Sequence, residues 1–230
     1  MSKPITKAVI PAAGFGTRML PATKSMPKEM MPVVGKPVIQ YVVEEAVAAG
    51  MTDILMIIGK GKRAIEEHFD RNFELEQQLA EKGKNELLES IRSITGLANI
   101  HFIWQKELNG LGDAISYARY HTGNEPFAVL LGDTILDSSE ERPVLAQMAT
   151  IYEQYEAPVV ALENVARELV SRYGILDGED LGNCVFKANS FVEKPAVDEA
   201  PSTLAISGRY IFTPHIYQCL DRIGRGVNNE

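Results

Sequence analysis

A glycine-rich loop that leads into a run of cations is the segment of this sequence best suited to chemistry. The loop comprises residues 12–18, Ala-Ala-Gly-Phe-Gly-Thr-Arg, and follows a short apolar run. Small residues just after a strand let backbone amides approach a ligand closely. Residues 18–37 contain four prolines and four cations, Arg18, Lys24, Lys28 and Lys36. Because proline restricts the backbone, such a loop can hold positive charge at fixed positions for a small anionic ligand.

The spacing of the glycines excludes two common nucleotide-binding motifs. Met19 stands where the dinucleotide fingerprint needs its third glycine, and no Gly-Lys pair is preceded by a glycine at the distance of a Walker loop. Gly14 and Gly16 alone are equally consistent with an ordinary tight turn. Lys24 and Lys36 are also compatible with solvated loop charges, so the prediction of an anion site depends mainly on Lys28.

A carboxylate at the end of an apolar run is the second candidate for chemistry. Residues 127–131 are apolar, and Gly132 and Asp133 follow them directly. In open α/β sheets ligands bind beyond the carboxyl ends of the strands, and a hard cation that bridges phosphates needs one or two carboxylates there. We therefore expect Asp133 to hold a metal ion, with a cap of the next turn as the alternative. For Asp137 we expect no such role.

The elements that must position these residues alternate between β-branched runs and helical periods, which favours an α/β fold. Strands are predicted at residues 8–10, 54–58, 100–105, 127–131 and 159–162, and helices near 38–47, 114–120 and 144–155. Between the second and third strands we expect a charged helix with Ile65, Phe69 and Phe73 on one stripe, then a helix through residues 87–94. The pattern predicts a three-layer sandwich with a mostly parallel mixed sheet.

After residue 173 the pattern changes to strand-like segments at residues 174–177, 184–192 and 203–212. They predict a smaller sheet, and we place a soft boundary inside a single domain of residues 1–230. Residues 1–164 form the first half in this prediction, and residues 165–230 form the second half.

Composition restricts the partners and the compartment. The chain has 230 residues and a formal net charge of −8, which disfavours nucleic acid and anionic membranes as partners. No apolar run reaches membrane-spanning length, and Cys184 and Cys219 form no metal or disulfide motif. We expect a protein of the reducing cytoplasm. The histidines, His68, His101, His121 and His215, have no metal-ligand spacing and receive no role.

Residues 12–37 resemble the sugar-nucleotide pyrophosphorylases along their whole length. The Ala13-Gly14 start and Pro27-Lys28-Glu29-Met30 are similar to the bacterial UTP–glucose-1-phosphate uridylyltransferases, also called UDP-glucose pyrophosphorylases, in particular. The resemblance extends over essentially all 230 residues. It implies a GT-A-like nucleotidyltransferase fold and a Mg²⁺-dependent reaction that converts UTP and glucose 1-phosphate into UDP-glucose and pyrophosphate. It also implies that residues 1–164 are the nucleotide-binding half and residues 165–230 the sugar-binding half.

The resemblance also implies roles for individual residues. Arg18 and Lys28 would bind the triphosphate and the departing pyrophosphate, and Asp133 would hold Mg²⁺. The uridine site would be lined by Ala12, Ala13, Gly14, Glu29, Gln105 and Gly110. Gln105 and Gly110 suit that role, because an amide and a free backbone group can read the acceptor–donor–acceptor edge of uracil. Alone, a glutamine at a strand end is more often an ordinary surface residue.

Residues 191–195 resemble the sugar-binding segment of the same family. Glu193 would accept hydrogen bonds from glucose hydroxyls, Lys194 would contact the sugar phosphate, and Gly174 would offer its backbone to the sugar. Without the resemblance, Glu-Lys-Pro reads as a surface turn. The chain also departs from the family, since Asp113 stands where many members carry histidine.

Three alternatives remain open from the sequence. The chain could transfer another nucleotide, could be a glycosyltransferase that uses a ready-made nucleotide sugar, or could be a non-catalytic nucleotide-binding regulator. The family continues beyond the point that corresponds to Glu230 with a further helix and a further aspartate. We therefore expect weak turnover of the 230-residue chain alone, and a homo-oligomer when that segment is present.

Overall fold

Short β-branched runs form the strands of this protein, and longer amphipathic runs between them form most of its helices. The computed structural model describes residues 4–223. The strands are β1 Lys7–Ala12, β2 Pro32–Val33, β3 Lys36–Pro37, β4 Asp53–Ile58, β5 Asn99–Trp104, β6 Phe127–Leu130, β7 Val159–Asn164, β8 Gly174–Gly182, β9 Val185–Glu193 and β10 Leu204–Phe212.

The α-helices and 3₁₀ turns occupy the connections between these strands. The helices are α1 Val38–Ala48, α2 Arg63–Phe69, α3 Phe73–Glu81, α4 Asn85–Thr95, α5 Gly110–Ser116, α6 Arg119–Thr122, α7 Val144–Tyr155 and α8 His215–Leu220. The 3₁₀ turns are Thr17–Met19, Ala22–Lys24, Lys28–Met30 and Arg167–Arg172. Within residues 4–223, no helix is long and apolar enough to cross a membrane.

The sheet of the first unit is parallel and brings the ends of its strands to one edge. Contacts group residues up to Val159 with those from Tyr210 onward, and Val160–Arg209 form a second unit. In the first unit β5, β4, β1 and β6 lie side by side in that order, and all three pairings are parallel. Ala12 pairs with Ile58, and Ile58 pairs with Trp104. The loops after β1, β4 and β5 therefore start at the same edge.

Helices cover both faces of this sheet. On one face Val9, Leu55 and Phe127 pack with Ala114 of α5 and Tyr217 of α8. On the other face α1 buries four apolar side chains completely, namely Ile39, Val42, Val43 and Ala46. Ile39 and Ile10 of β1 both lie close to Gly132. The predicted three-layer sandwich with a mostly parallel sheet is confirmed, and β2 and β3 form a small separate sheet.

The second unit is built around antiparallel strands. β8 and β9 form a hairpin from Gly174↔Glu193 to Gly182↔Val185, and Ala205 of β10 pairs with Ile175 of β8. The three strands predicted after residue 173 therefore exist, and β8 extends to Gly182, beyond its predicted end at residue 177. The division at residues 164 and 165 into nucleotide and sugar halves stays a prediction, and the contacts themselves group residues 160–209.

Two helix predictions were wrong in detail. The single stripe of Ile65, Phe69 and Phe73 does not exist, because α2 ends at Phe69 and Asp70 has an extended backbone. Phe73 begins α3 instead and is 68% exposed. The helix predicted near residues 114–120 is α5 followed by a turn and the short α6. The point that corresponds to Glu230, beyond which the family continues with a further helix, lies outside the described residues.

Candidate active site

Closely packed backbone forms the floor of the candidate site at the carboxyl edge of the first sheet. A Cβ atom on Gly59, which follows β4, would lie only 2.8 Å from the carbonyl oxygen of Ala13, which follows β1. A Cβ atom on Gly132, after β6, would lie 3.3 Å from the carbonyl oxygen of Pro11. At Gly59 only glycine allows so close an approach, and at Gly132 a side chain would force its neighbours to shift by a few tenths of an ångström. The end of β1 and the loop that follows it therefore lie against the ends of both neighbouring strands, with Ala12 paired with Ile58 and Ala13 beside Gly59.

Lys28 is fixed by the glycine-rich loop and points at Asp133. The Cβ and Cδ atoms of Lys28 lie 3.2 and 3.3 Å from the point where a side chain on Gly16 would place its Cβ atom. Gly16 has a φ of +68°, which is in the left-handed region that favours glycine. The Thr23 hydroxyl donates a 2.8 Å hydrogen bond to the Gly16 carbonyl and closes this loop. Lys28 Nζ forms an ion pair with Asp133 Oδ2 at 2.6 Å. The same Nζ would lie 3.9 Å from a Cβ atom placed on Gly14, so it is close to the glycine-rich loop.

Glu29 forms a buried ion pair that the sequence did not reveal. Its carboxylate Oε2 accepts a 2.7 Å hydrogen bond from Nζ of Lys62, and both side chains are almost completely buried. The other oxygen, Oε1, is also buried and has no hydrogen-bond partner among residues 4–223. A buried acceptor without a partner is costly, so Glu29 is suited to receive a donor from a ligand. In the sequence, only the repeated Gly-Lys at residues 59–62, directly after β4, indicated that Lys62 could belong to the site.

Gln105 lies directly after β5 and is tied to α5. Its backbone amide donates to the Ile58 carbonyl at 2.9 Å, which continues the ladder between β4 and β5 by one residue. Its side-chain Nε2 donates to Asp113 Oδ2 at 2.7 Å. Only 6% of Gln105 is exposed, so it is no ordinary surface glutamine. Gly110, the first residue of α5, has a φ of +89° that favours glycine.

The other loop cations behave differently from one another. The side chains of Arg18 and Lys24 are exposed and make no hydrogen bond or ion pair to any residue in the described range 4–223. Lys36 is tied to α1 by a 2.6 Å ion pair with Glu44, and its Nζ lies 4.4 Å from the centre of the Tyr41 ring. Arg18 and Lys24 are therefore free to meet a ligand or water, whereas Lys36 already has a structural role.

In the second unit, the predicted sugar-binding residues form a local cluster. Gly174 and Glu193 are paired across β8 and β9, and a Cβ atom on Gly174 would lie 3.1 Å from Glu193 Oε2. Lys194 has a φ of +48°, and its amide donates to the Tyr173 carbonyl at 2.9 Å. Its Nζ lies 3.2 Å from Glu193 Oε1, and both side chains are more than half exposed.

Two histidines gather at the opposite edge of the first sheet, where β4 begins. His121 Nε2 lies 3.0 Å from Asp53 Oδ1, and His101 Nε2 lies 3.6 Å from the same oxygen. Burial lowers the pKa of His121 below its ordinary value, although Asp53 acts in the opposite direction. Asp53 begins β4, His101 lies in the first half of β5 and His121 lies in α6, so all three are away from the loops that carry Lys28 and Asp133 and take no part in the candidate site.

Comparison with known proteins identifies the class to which this fold and site belong. Residues 7–225 match the model of the nucleotidyl transferase family. Because the match covers nearly the whole sequence, the chain belongs to the nucleotidyl transferase family.

Relatives within that family are more specific. The chain is 53% identical over 230 residues to the UTP–glucose-1-phosphate uridylyltransferase YngB of Bacillus subtilis, which covers 100% of this chain and 77% of that protein. It is 52% identical over 228 residues to the UTP–glucose-1-phosphate uridylyltransferase of Staphylococcus haemolyticus, at 99% and 78% coverage. The resemblance inferred from the loop at residues 12–37 is confirmed.

Solved structures agree with these relatives. A UDP-glucose pyrophosphorylase complexed with UDP-glucose superimposes with a TM-score of 0.88 at 44% identity, over 98% of this chain and 83% of that one. The UTP-bound enzyme of the same activity from Acinetobacter baumannii gives a TM-score of 0.91 at 41% identity, over 95% and 78%. The predicted nucleotidyltransferase fold is confirmed.

Proposed function

We propose that this protein transfers the uridylyl group of UTP to glucose 1-phosphate, which yields UDP-glucose and pyrophosphate. The observation that carries the proposal is the meeting of Lys28 and Asp133, 2.6 Å apart, beside Gly14 at the carboxyl edge of the parallel sheet. A cation and a carboxylate beside an open backbone loop suit a substrate with phosphates and a metal ion. The relatives with this activity are more than half identical to the chain.

The reaction needs positioned charge rather than a general base. A phosphate oxygen of glucose 1-phosphate is already anionic and forms a bond to the α-phosphorus of UTP. The bond from that phosphorus to the oxygen that bridges to the β-phosphate breaks, and its electron pair leaves with pyrophosphate. Catalysis then depends on orientation and on neutralising the transferred charge. In this proposal Lys28 and Arg18 bind the triphosphate and stabilise the pyrophosphate as it leaves.

The uridine is placed by the loops after β1 and β5. The backbone at Ala12, Ala13 and Gly14 lies at the strand ends where a nucleotide can approach closely. Glu29 offers its buried, unpartnered Oε1 as an acceptor. Gln105 and the backbone of Gly110 bind the base in this proposal.

Asp133 fits a Mg²⁺ ion of the phosphate-bridging kind. Such an ion is held by one or two carboxylates, and substrate phosphates and water complete its shell. When bound, Mg²⁺ would supply charge neutralisation to the phosphates. Asp133 is its ligand in this proposal, and Lys28 is displaced from Asp133 toward the phosphates.

The sugar is bound by residues of the second unit. Glu193 accepts hydrogen bonds from glucose hydroxyls, and Lys194 contacts the sugar phosphate. Gly174 leaves room beside the Glu193 carboxylate, because a side chain there would crowd Oε2 at 3.1 Å. The exposure of Glu193 and Lys194 supports a role in ligand binding, since neither side chain is needed to fill a core.

The proposal also covers the oligomeric state of the protein and its cellular compartment. We infer that the protein assembles as a homo-oligomer, as the family resemblance implies. We also infer a reducing compartment such as the cytoplasm, because Cys184 and Cys219 are both free thiols.

Pyrophosphate release from a panel of nucleotides and sugar phosphates tests the function. The protein should release pyrophosphate from UTP only when glucose 1-phosphate and Mg²⁺ are present, and UDP-glucose should accumulate in equal amount. Binding of UTP without pyrophosphate release would instead indicate a regulator. Transfer of glucose from UDP-glucose to an acceptor would indicate a glycosyltransferase. Equal rates with dTTP, ATP or GTP would contradict uridylyl specificity.

A further inference from the structure

The hydrogen bond between Gln105 and Asp113 fixes which end of the Gln105 amide is available to a ligand. A glutamine amide has a donor end, Nε2, and an acceptor end, Oε1, and can rotate to exchange them. A carboxylate offers only acceptors. With Nε2 held 2.7 Å from Asp113 Oδ2, Oε1 must point the other way. Oε1 has no hydrogen-bond partner among the described residues 4–223.

With its amide in this orientation, Gln105 can form hydrogen bonds to uracil but not to cytosine. Uracil carries a proton on N3 and a carbonyl beside it, so N3–H donates to Oε1 and the carbonyl accepts from the second hydrogen of Nε2. Cytosine has an unprotonated N3 beside an amino group. To bind it along that edge, the Gln105 amide must rotate and place Oε1 against the Asp113 carboxylate, so two acceptors would meet at hydrogen-bond distance.

The positions of Gln105 and Asp113 allow Asp113 to set the orientation of the Gln105 amide. Gln105 is nearly buried and its backbone continues the ladder with β4, so the whole residue is held in position. Asp113 lies in the first turn of α5, whose next residues, Ala114 and Ile115, are part of the core. The backbone of each partner is therefore held in place by packed structure, and Gln105 is buried as a whole. The orientation of the amide is therefore set by Asp113 and not by the ligand.

We propose that Asp113 is a specificity-determining positioning residue, which makes the protein accept pyrimidines with a protonated N3 and reject cytosine. The proposal deepens the function given above and depends on Gln105 binding the base. Asp113 itself does not touch the nucleotide; it acts through the Gln105 amide. Thymine has the same N3–H as uracil, so discrimination between UTP and dTTP should not depend on Asp113.

Asp113→Asn tests the proposal, because asparagine has nearly the same shape and can either donate or accept. The Gln105 amide then has no enforced orientation. The ratio of kcat/KM for UTP to that for CTP should fall about tenfold or more, mainly through better use of CTP. The UTP to dTTP ratio should stay unchanged. Asp113→Glu, which keeps a carboxylate, should retain a preference for UTP over CTP.

Glu107→Gln is the matched control. Glu107 is an exposed carboxylate in the loop between Gln105 and Asp113, and its substitution removes one negative charge from the same region. It should leave the UTP to CTP ratio unchanged. The side-chain amide resonance of Gln105 in the ligand-free protein gives a second readout. It should shift in Asp113→Asn and not in Glu107→Gln.

The outcomes separate this proposal from the function on which it rests. If the wild-type protein uses neither UTP nor CTP, the proposed function fails and the role of Asp113 fails with it. If the wild-type protein uses UTP, two results would overturn the role of Asp113 alone. One is an unchanged UTP to CTP ratio in Asp113→Asn, and the other is an equal loss with both nucleotides, which would mean a structural role only.

Discussion

Lys28 Nζ lies 2.6 Å from Asp133 Oδ2, although 105 residues separate the two in the sequence. Lys28, which is proposed to bind pyrophosphate, thus neutralises Asp133, which is proposed to hold the metal ion. Both side chains are partly exposed, and such pairs contribute little net stability. The pair can therefore open at low cost when a triphosphate and a metal ion arrive together, and each charge then meets its own ligand.

Lys28 and Lys194 should act on opposite ends of the reaction. In the reverse direction Lys28→Ala should mainly raise the KM for pyrophosphate, because the charge that binds it is lost. Lys194→Ala should mainly raise the KM for UDP-glucose. Steady-state kinetics with each substrate varied in turn measures both effects. Lys24→Ala, which removes an exposed cation of the same loop as Lys28, should leave both KM values close to wild type. Equal loss of both substrates in the two variants would contradict the separate roles.

Asp133→Asn should slow pyrophosphate release by roughly a hundredfold or more, because a bound metal supplies several kcal/mol of charge stabilisation. The variant removes the charge but keeps the shape of the side chain. Release of pyrophosphate from UTP and glucose 1-phosphate at saturating Mg²⁺ measures the effect. Asp137→Asn, four residues further along, is the control and should remain active. A variant at Asp133 with wild-type turnover would place the metal ligand elsewhere.

Lys62→Met should destabilise the fold by about 3 kcal/mol or more, because it leaves the buried carboxylate of Glu29 without its cation. Urea unfolding followed by circular dichroism measures the free energy of unfolding. Lys60→Met removes an exposed lysine of the same loop and should change stability by less than about 0.5 kcal/mol. The double variant Lys62→Met/Glu29→Gln should regain part of the loss, because no buried charge is then left unpaired. No such recovery would argue that packing, rather than charge, causes the effect.

Glu76 should make the helices α3 and α4 sensitive to acid. Hydrogen bonds from Arg71 and then Arg92 lower the pKa of Glu76 from 4.5 to about 2. A lowered pKa means that the unfolded chain binds a proton first as the pH falls. The stabilising contribution is therefore full above about pH 4.5 and is lost as the pH falls toward about 2. Thermal unfolding of the wild-type protein and of Glu76→Gln should show a smaller change between these pH values in the variant. Glu74→Gln, on the same helix and exposed, should behave like the wild-type protein.

Several features could be predicted from the sequence because their causes are local. Apolar runs of strand length predicted β1, β4, β5 and β6, and the helical period of residues 38–47 predicted α1. The composition of residues 12–37 predicted an anion-binding loop, and that role stays a prediction. The local pattern gave a wrong prediction at Phe73. This residue has helical spacing from Phe69, but the extended backbone at Asp70 ends α2, and Phe73 begins α3 instead.

Burial patterns and turn residues act over a few positions, so the sequence was enough to predict the fold class, most strands and the loop residues that could do chemistry. Which of those residues meet depends on the tertiary packing. The parallel register brings the ends of β1, β4, β5 and β6 to one edge, where Lys28 contacts Asp133, Lys62 contacts Glu29 and Gln105 contacts Asp113. Such pairs join residues up to 105 positions apart, and no local pattern encodes them because their geometry depends on the packing of the whole sheet.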